Sequence, residues 1–288
     1  MYINWVTNAD LCNIIRQNLY KIPHDIDGVI CIPRGGLFVG TIIAEYLHKP
    51  MYTVETFAKN MSLGCGNVEE DGLPTTNFGR YIVVDDSVLH GESFSKANEV
   101  LKQFPYTFIY VGCIGEQENM PNTDIILSVV PEFRLFELNF FRSSWVNLCI
   151  FDIDGVLCKD PEYGIDLDEE KYIDHIRNAP SLIPLQFTVK AICTHRLYKY
   201  IEPTQEWLSN HGISYHMLYM LDYPSVEDKI KYSNTTEYLN AKSNVYSSYP
   251  DALLFVESNY DEALRIYQNT HRPVLCTDAN IILQDDAN

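Results

Sequence analysis

YIVVDDSVLHGESF, residues 81–94, runs an apolar stretch, Tyr81 to Val84, straight into two carboxylates, Asp85 and Asp86. A turn through Gly91 then leads into a helical stretch from Glu92 to Phe104. A strand that ends in a loop and a helix predicts an open α/β sheet, in which ligands collect at the carboxyl ends of the strands. The loop residues Ser87, Val88, Leu89, His90, Gly91, Glu92 and Ser93 run into a helix N-terminus, where free amides and the dipole favour a phosphate monoester. The paired carboxylates cannot serve that phosphate. They suit a vicinal diol and positive charge developing on a nearby carbon. Phosphate and diol together describe ribose 5-phosphate; a core strand ending in a solvated Asp pair is the plainer alternative.

Upstream, GVICIPRGG at 28–36 is a second short apolar strand, closed by Pro33, Arg34, Gly35 and Gly36, after which Leu37 to Leu47 reads as a helix. Two glycines let the backbone approach an anion, and Arg34 adds a fixed charge. The two stretches in this order resemble the pyrophosphate loop and the ribose-phosphate loop of type I phosphoribosyltransferases. Asp85, Asp86, Gly91 and Ser93 fall on the family pattern, whereas Leu89 and His90 stand where Thr or Ser is usual. The resemblance implies that Asp85 and Asp86 hold the ribose diol, that residues 87–93 cradle the 5-phosphate, and that Arg34, Gly35 and Gly36 hold pyrophosphate. Between the two motifs, Thr56 to Gly79 is polar, with Gly64, Gly66 and Gly72. It matches the loop that closes over such sites, and equally a plain surface loop.

CIFDIDGVLCKDP, residues 149–161, carries the second chemistry. Residues i and i+2 of an extended chain point the same way, so Asp152 and Asp154 project together from the end of an expected strand, Val146 to Phe151. One carboxylate can attack phosphorus while its neighbour protonates the leaving oxygen, and a divalent cation offsets their repulsion with phosphate. The stretch resembles the first motif of haloacid-dehalogenase-like phosphatases, with Asp152 as nucleophile and Asp154 as general acid and base. The resemblance implies three supports. Thr194, after a strand Val189 to Cys193, holds a phosphoryl oxygen. Lys242, in a helix, neutralises the phosphoryl intermediate, with Lys229 and Lys231 weaker candidates. Glu257, after a strand Ala252 to Val256, joins Asp261 in completing a Mg²⁺ site with Asp152 and Asp154, since hard oxygen ligands suit that ion. Arg196 can bind the substrate's phosphate or sugar, or form a structural ion pair.

The expected architecture is therefore α/β in two domains, a phosphoribosyltransferase domain at 1–143 and a phosphatase domain at 144–288. A chain of 288 residues with 46% hydrophobic residues can build two cores. Only about forty residues separate Asp154 from Thr194, and about as many Thr194 from Lys242, so neither gap holds a large cap and a bulky substrate can enter. The formal charge of −18 disfavours nucleic acid as a partner. No apolar run is long enough to span a membrane and Met1 to Tyr20 shows no signal-peptide pattern, so the expected location is the cytoplasm. Eight cysteines without CxxC spacing read as reduced core thiols.

Nearly the whole chain resembles bifunctional enzymes that install ribofuranose in bacterial polysaccharides. That resemblance implies phosphoribosyl pyrophosphate as donor, a glycan or lipid-linked glycan as acceptor, Mg²⁺ as cofactor and dephosphorylation of the product. A glycan hydroxyl needs a general base near C1, and His90 or a carboxylate near it can serve. Ribosylation of a free base followed by dephosphorylation to a nucleoside is the nearest alternative. A non-catalytic sensor that binds the donor is another.

Overall fold

The computed structural model describes residues 2–64 and 79–286. The chain divides into two compact units, Val6–Leu138 and a second made of Met1–Trp5 with Asn139–Asn288.

The first unit is built on a five-stranded, all-parallel sheet. Its strands are β2 (Gly28–Cys31), β3 (Met51–Thr53), β4 (Arg80–Ser87), β5 (Thr107–Gly115) and β6 (Ile125–Val129), in the order β3-β2-β4-β5-β6. A short strand β1 (Asn4–Val6) precedes them, and β7 (Arg134–Phe136) follows. β4 is apolar on both faces, as a central parallel strand must be when helices cover both sides. Alternation divides it cleanly. Ile82 and Val84 pack with Leu11 and Ile15 of α1 (Asn8–Asn18) and with Val39 and Ile43 of α2 (Gly35–Leu47). Tyr81 and Val83 face Phe57 of α3 (Val54–Ala58), and Phe94, Ala97 and Leu101 of α4 (Glu92–Leu101). Because the strands are parallel, the residues that follow β2, β4 and β5 all emerge at one edge. Of the polar segment from Thr56 to Gly79, the start is the end of α3, while Gly66 and Gly72 lie outside the described residues.

The second unit holds a six-stranded sheet of β8 (Cys149–Phe151), β9 (Ala191–Leu197), β10 (Leu218–Leu221), β11 (Leu254–Glu257), β12 (Val274–Cys276) and β13 (Ile281–Leu283). Their order is β10-β9-β8-β11-β12-β13, parallel except for the β12-β13 pair. Ile150, Phe255 and Val274 pack beneath Tyr246 of α9 (Ala241–Ser247) and Ala263 and Ile266 of α10 (Tyr260–Thr270). α5 (Glu169–Asn178) lies against α6 (Ile201–Asn210), where the Trp207 indole donates to the Ala179 carbonyl at 2.8 Å. Between β10 and β11 stand α7 (Val226–Tyr232), α8 (Thr236–Leu239) and α9, three short helices.

Strand bounds differ in part from those expected, and β11 begins at Leu254, two residues after Ala252. Residues Ser144–Leu148 form a 3₁₀ turn, and the strand begins only at Cys149, where pairing with Leu254 starts. β9 does not stop at Cys193 but continues through Thr194 to Leu197, because β10 pairs alongside it as far as Leu197. Six of the seven described cysteines are buried free thiols, Cys12 is exposed, and Cys65 lies outside the described residues. Among the described residues no helix is long and apolar enough to cross a membrane.

Candidate functional site

At the carboxyl edge of the first sheet, β4 delivers Asp85, Asp86 and Ser87, and the chain turns through Gly91 into α4. Gly91 caps that helix in the left-handed region at φ 68°, and a Cβ there would sit 2.1 Å from the Pro121 carbonyl oxygen. Both facts require glycine. A cavity of about 240 Å³ opens here, lined by Asp85 and residues 87–94. Val88 does not contribute its amide to the cavity. Its N–H donates to the Ile114 carbonyl at 2.8 Å, and its side chain is buried in the core. Leu89, His90, Glu92 and Ser93 are exposed around the cavity, beside the N-terminus of α4.

Burial raises the Asp85 carboxyl to about 8, the neighbouring Asp86 adding to the effect, and burial likewise raises Asp86. A buried and a half-buried acid side by side disfavour a second negative charge, which suits hydroxyl partners and a cationic transition state more than an anion. The glycines of the PRGG stretch are fixed by this pair. α2 begins at Gly35, and a Cβ on Gly35 would lie 2.3 Å from the Asp86 carboxylate. One on Gly36 would lie 2.5 Å from the Val84 carbonyl oxygen. Arg34, the residue before the helix, is exposed. The two sequence motifs, some fifty residues apart, are thus in contact through Gly35 and Asp86. Gly35→Ala is expected to weaken the fold by about 1–3 kcal/mol, the scale of overpacking a tight site, and to displace Asp86. Urea melts beside calorimetric titration with phosphoribosyl pyrophosphate check this. An unchanged midpoint with unchanged titration would show that Asp86 gives way freely.

In the second unit, β8, β9 and β11 end side by side and present Asp152, Thr194 and Glu257. The Asp152 carboxylate accepts from the Ile153 amide at 2.7 Å and from Lys242 Nζ at 2.8 Å. Lys242 is 4% exposed, and its Nζ also donates to Glu257 and Glu262, each at 2.6 Å. Burial opposes the charge on Lys242, but the three carboxylates outweigh it and hold its pKa well above the ordinary value. Burial pushes Glu257 up to about 8, with Asp152 adding and Lys242 offsetting part of the shift. Burial would raise Glu262 too, yet its contact with His195 and the charge of Lys242 outweigh that and keep it well below the usual range. Thr194 is 3% exposed and accepts from the Arg196 amide at 3.2 Å. These groups line a cavity of about 390 Å³, together with Tyr238 and His195. A Cβ on Gly155, at φ 74°, would fall 2.3 Å from Ser258 Oγ.

Asp152, Thr194, Lys242 and Glu257 are therefore brought together. Two expected residues stand differently. Asp261 is exposed in the first turn of α10, and the residue that reaches Lys242 is Glu262. Consecutive helical residues are about 100° apart, so only one of the two can face the cavity. Asp154 turns its carboxylate to Arg196, accepting from Nε at 2.9 Å and Nη2 at 2.6 Å. Burial would raise its pKa, but the guanidinium outweighs that and lowers it. Of the two roles open to Arg196, the structure shows the ion pair: the residue, 1% exposed, is the partner of Asp154.

Among the described residues, the carboxylates grouped so that they could hold a metal ion are Asp152, Glu257 and Glu262, whose ligand oxygens all lie within 4.8 Å of one another. This all-oxygen set fits a hard divalent cation such as Mg²⁺. Glu262 and Tyr238 escaped the sequence reading. The only signal for Glu262 was Asn259 three residues before it, the helix cap that accepts from the Glu262 amide.

No protein-family model matches the chain, and no curated protein matches it. Among solved structures, Helicobacter pylori xanthine-guanine-hypoxanthine phosphoribosyltransferase is 14% identical, covering 48% of this chain and 92% of that one, at a TM-score of 0.34. Orotate phosphoribosyltransferase from Aeropyrum pernix is 26% identical over 37% of this chain and 57% of that one, at 0.28. The Pnkp1/Rnl/Hen1 RNA repair complex is 11% identical, with 96% and 94% covered, at 0.33. At TM-scores this low the functional reading rests on the side chains.

Proposed function

We propose that the chain transfers ribose 5-phosphate from phosphoribosyl pyrophosphate to a glycan hydroxyl and then removes the 5-phosphate, leaving β-ribofuranose. Residues 1–143 carry the transfer and residues 144–288 the dephosphorylation. The observation that carries the transfer is the contact between Gly35 and Asp86, which sets an exposed arginine and a helix N-terminus beside the acid pair and a cavity of about 240 Å³. Arg34, Gly35 and Gly36 hold the pyrophosphate. Asp85 and Asp86 accept hydrogen bonds from the ribose 2- and 3-hydroxyls and stabilise positive charge at C1 as pyrophosphate departs. Attack from the face opposite pyrophosphate inverts the α-configured donor to a β-riboside.

For the second step, Asp152 attacks phosphorus and carries the phosphoryl group, and Thr194 and Lys242 bind its oxygens. Asp152, Glu257 and Glu262 would hold Mg²⁺, which would supply positive charge to offset the repulsion between carboxylate and phosphate. Asp154 is held as a carboxylate by Arg196. That form suits activation of the water that hydrolyses the aspartyl-phosphate. Protonating the leaving oxygen in the first half requires the ion pair to loosen.

Two pairings of domains with substrates are distinguished by one experiment. The protein is incubated with phosphoribosyl pyrophosphate, Mg²⁺ and either synthetic glycans or free bases, and products are read by mass. A bare pentose gained by the glycan is the expected result. Gain on a base alone would move the assignment to nucleoside synthesis, and donor binding without pyrophosphate release would mark a sensor.

A further inference from the structure

We propose that Glu116 is the general base of the transfer step, held in place by Arg134; the inference rests on the ribosyl-transfer reading above. Its placement follows from register. In the β4-β5 pair Ser87 lies opposite Ile114, so Glu116, one residue past the end of β5, leaves the sheet at the edge where Asp85 and Asp86 stand. The segment it opens rests on the ribose-phosphate loop. The Pro121 carbonyl abuts Gly91, and the Asn122 side-chain amide donates to the Gly91 carbonyl at 3.3 Å.

The Glu116 carboxylate is 31% exposed and meets Arg134 Nη2 at 3.5 Å. Arg134 is 6% exposed and is tied to the Val130 carbonyl at 3.4 Å, so a buried cation fixes where the carboxylate sits. Burial and the neighbouring Glu132 raise the proton affinity of this carboxyl group, while Arg134 and His90 of the loop oppose them. The donor-binding roles assigned to Arg34, Gly35, Gly36, Asp85 and Asp86 make no use of this group. It is a fixed, partly exposed proton acceptor beside the loop that carries the phosphoribosyl group.

In the step, the acceptor oxygen forms a bond to C1 and the C1–oxygen bond to pyrophosphate breaks, with the electron pair leaving on pyrophosphate. The acceptor hydroxyl's proton passes to the Glu116 carboxylate. Arg134 positions that carboxylate and does not touch the reacting atoms.

An anionic nucleophile needs no base, which gives the test. The wild type and Glu116→Gln are each given phosphoribosyl pyrophosphate and Mg²⁺, with either excess methanol or azide as acceptor, and pyrophosphate release and the ribosyl product are measured. Methanol transfer by the variant is expected to fall about a hundredfold, the scale of losing a general base, while azide transfer stays within about threefold. Equal loss with both nucleophiles would assign Glu116 to donor binding or structure and overturn the inference, as would no loss with either. Arg134→Lys should lower methanol transfer less than Glu116→Gln and leave azide transfer alone. If the wild type releases pyrophosphate with neither nucleophile and calorimetry shows no donor binding, the transfer reading itself falls and this inference with it.

Discussion

Asp152→Asn is expected to stop the reaction at a phosphorylated riboside. Its carboxylate is the group at the end of β8 with one oxygen on the Ile153 amide and the other on Lys242, facing the cavity that Thr194 also lines. Asparagine keeps the shape and the amide contact but is not a nucleophile, so dephosphorylation should fall by at least about 10⁴-fold. The fold should persist, because Lys242 keeps Glu257 and Glu262 as partners. Ribosyl transfer should be unchanged, since Arg34, Asp85 and Asp86 belong to the unit Val6–Leu138 and Asp152 to the other. Mass spectrometry of the glycan product checks both halves at once. A pentose phosphate is expected on the product of the variant and a bare pentose on that of the wild type. Fully dephosphorylated product from the variant at the wild-type rate would sink the division of labour between the two sites.

What the sequence made legible depended on how local each signal was. The ends of β4 and β8 could be read because apolar runs terminating in acids are contiguous, and a parallel strand buried on both faces admits little else. The helix after the PRGG stretch was expected from Leu37, yet α2 starts at Gly35. What requires glycine at that start is the Asp86 carboxylate, some fifty residues away, which no local pattern contains. The same holds for Asp154. Its spacing from Asp152 predicts a shared face, and it does line the same cavity. Its partner, however, is Arg196 on a different strand, and that ion pair changes what the carboxylate can do. Glu262 was missed for the converse reason. Asp261 and Glu262 are equally acidic and adjacent, and only the rotation of α10 about its axis decides which one meets Lys242. Motif spacing reaches the residues a backbone delivers to an edge; it does not reach the pairings made across that edge.

The second large effect belongs to Lys242. A single ammonium group, 4% exposed, sits on three carboxylates whose oxygens lie within 4.8 Å of one another. Lys242→Met keeps much of the side chain's length and removes the charge, leaving the buried Asp152 and Glu257 and the partly exposed Glu262 to repel one another. Breaking a buried ion pair from one side costs about 3–5 kcal/mol, so the variant's Tm should drop on the order of 10 °C. The deficit should shrink in acid. Glu257 already binds its proton up to about 8 in the folded protein, and loss of the cation raises that affinity further. Between the ordinary carboxylate range and that value the native state then holds protons that the unfolded chain does not, so stability falls as pH rises through the window and recovers as pH is lowered. The deficit should also shrink with Mg²⁺, which can occupy the oxygens that the lysine no longer neutralises. In the wild type the same ion must displace Lys242 from its three partners, so its Tm shift should be smaller. Differential scanning calorimetry of both proteins, with and without Mg²⁺, reads all of this without any substrate. A variant that melts with the wild type would show that Lys242 is not the charge holding the carboxylates together. A full deficit that Mg²⁺ leaves untouched would show that they do not form a cation site.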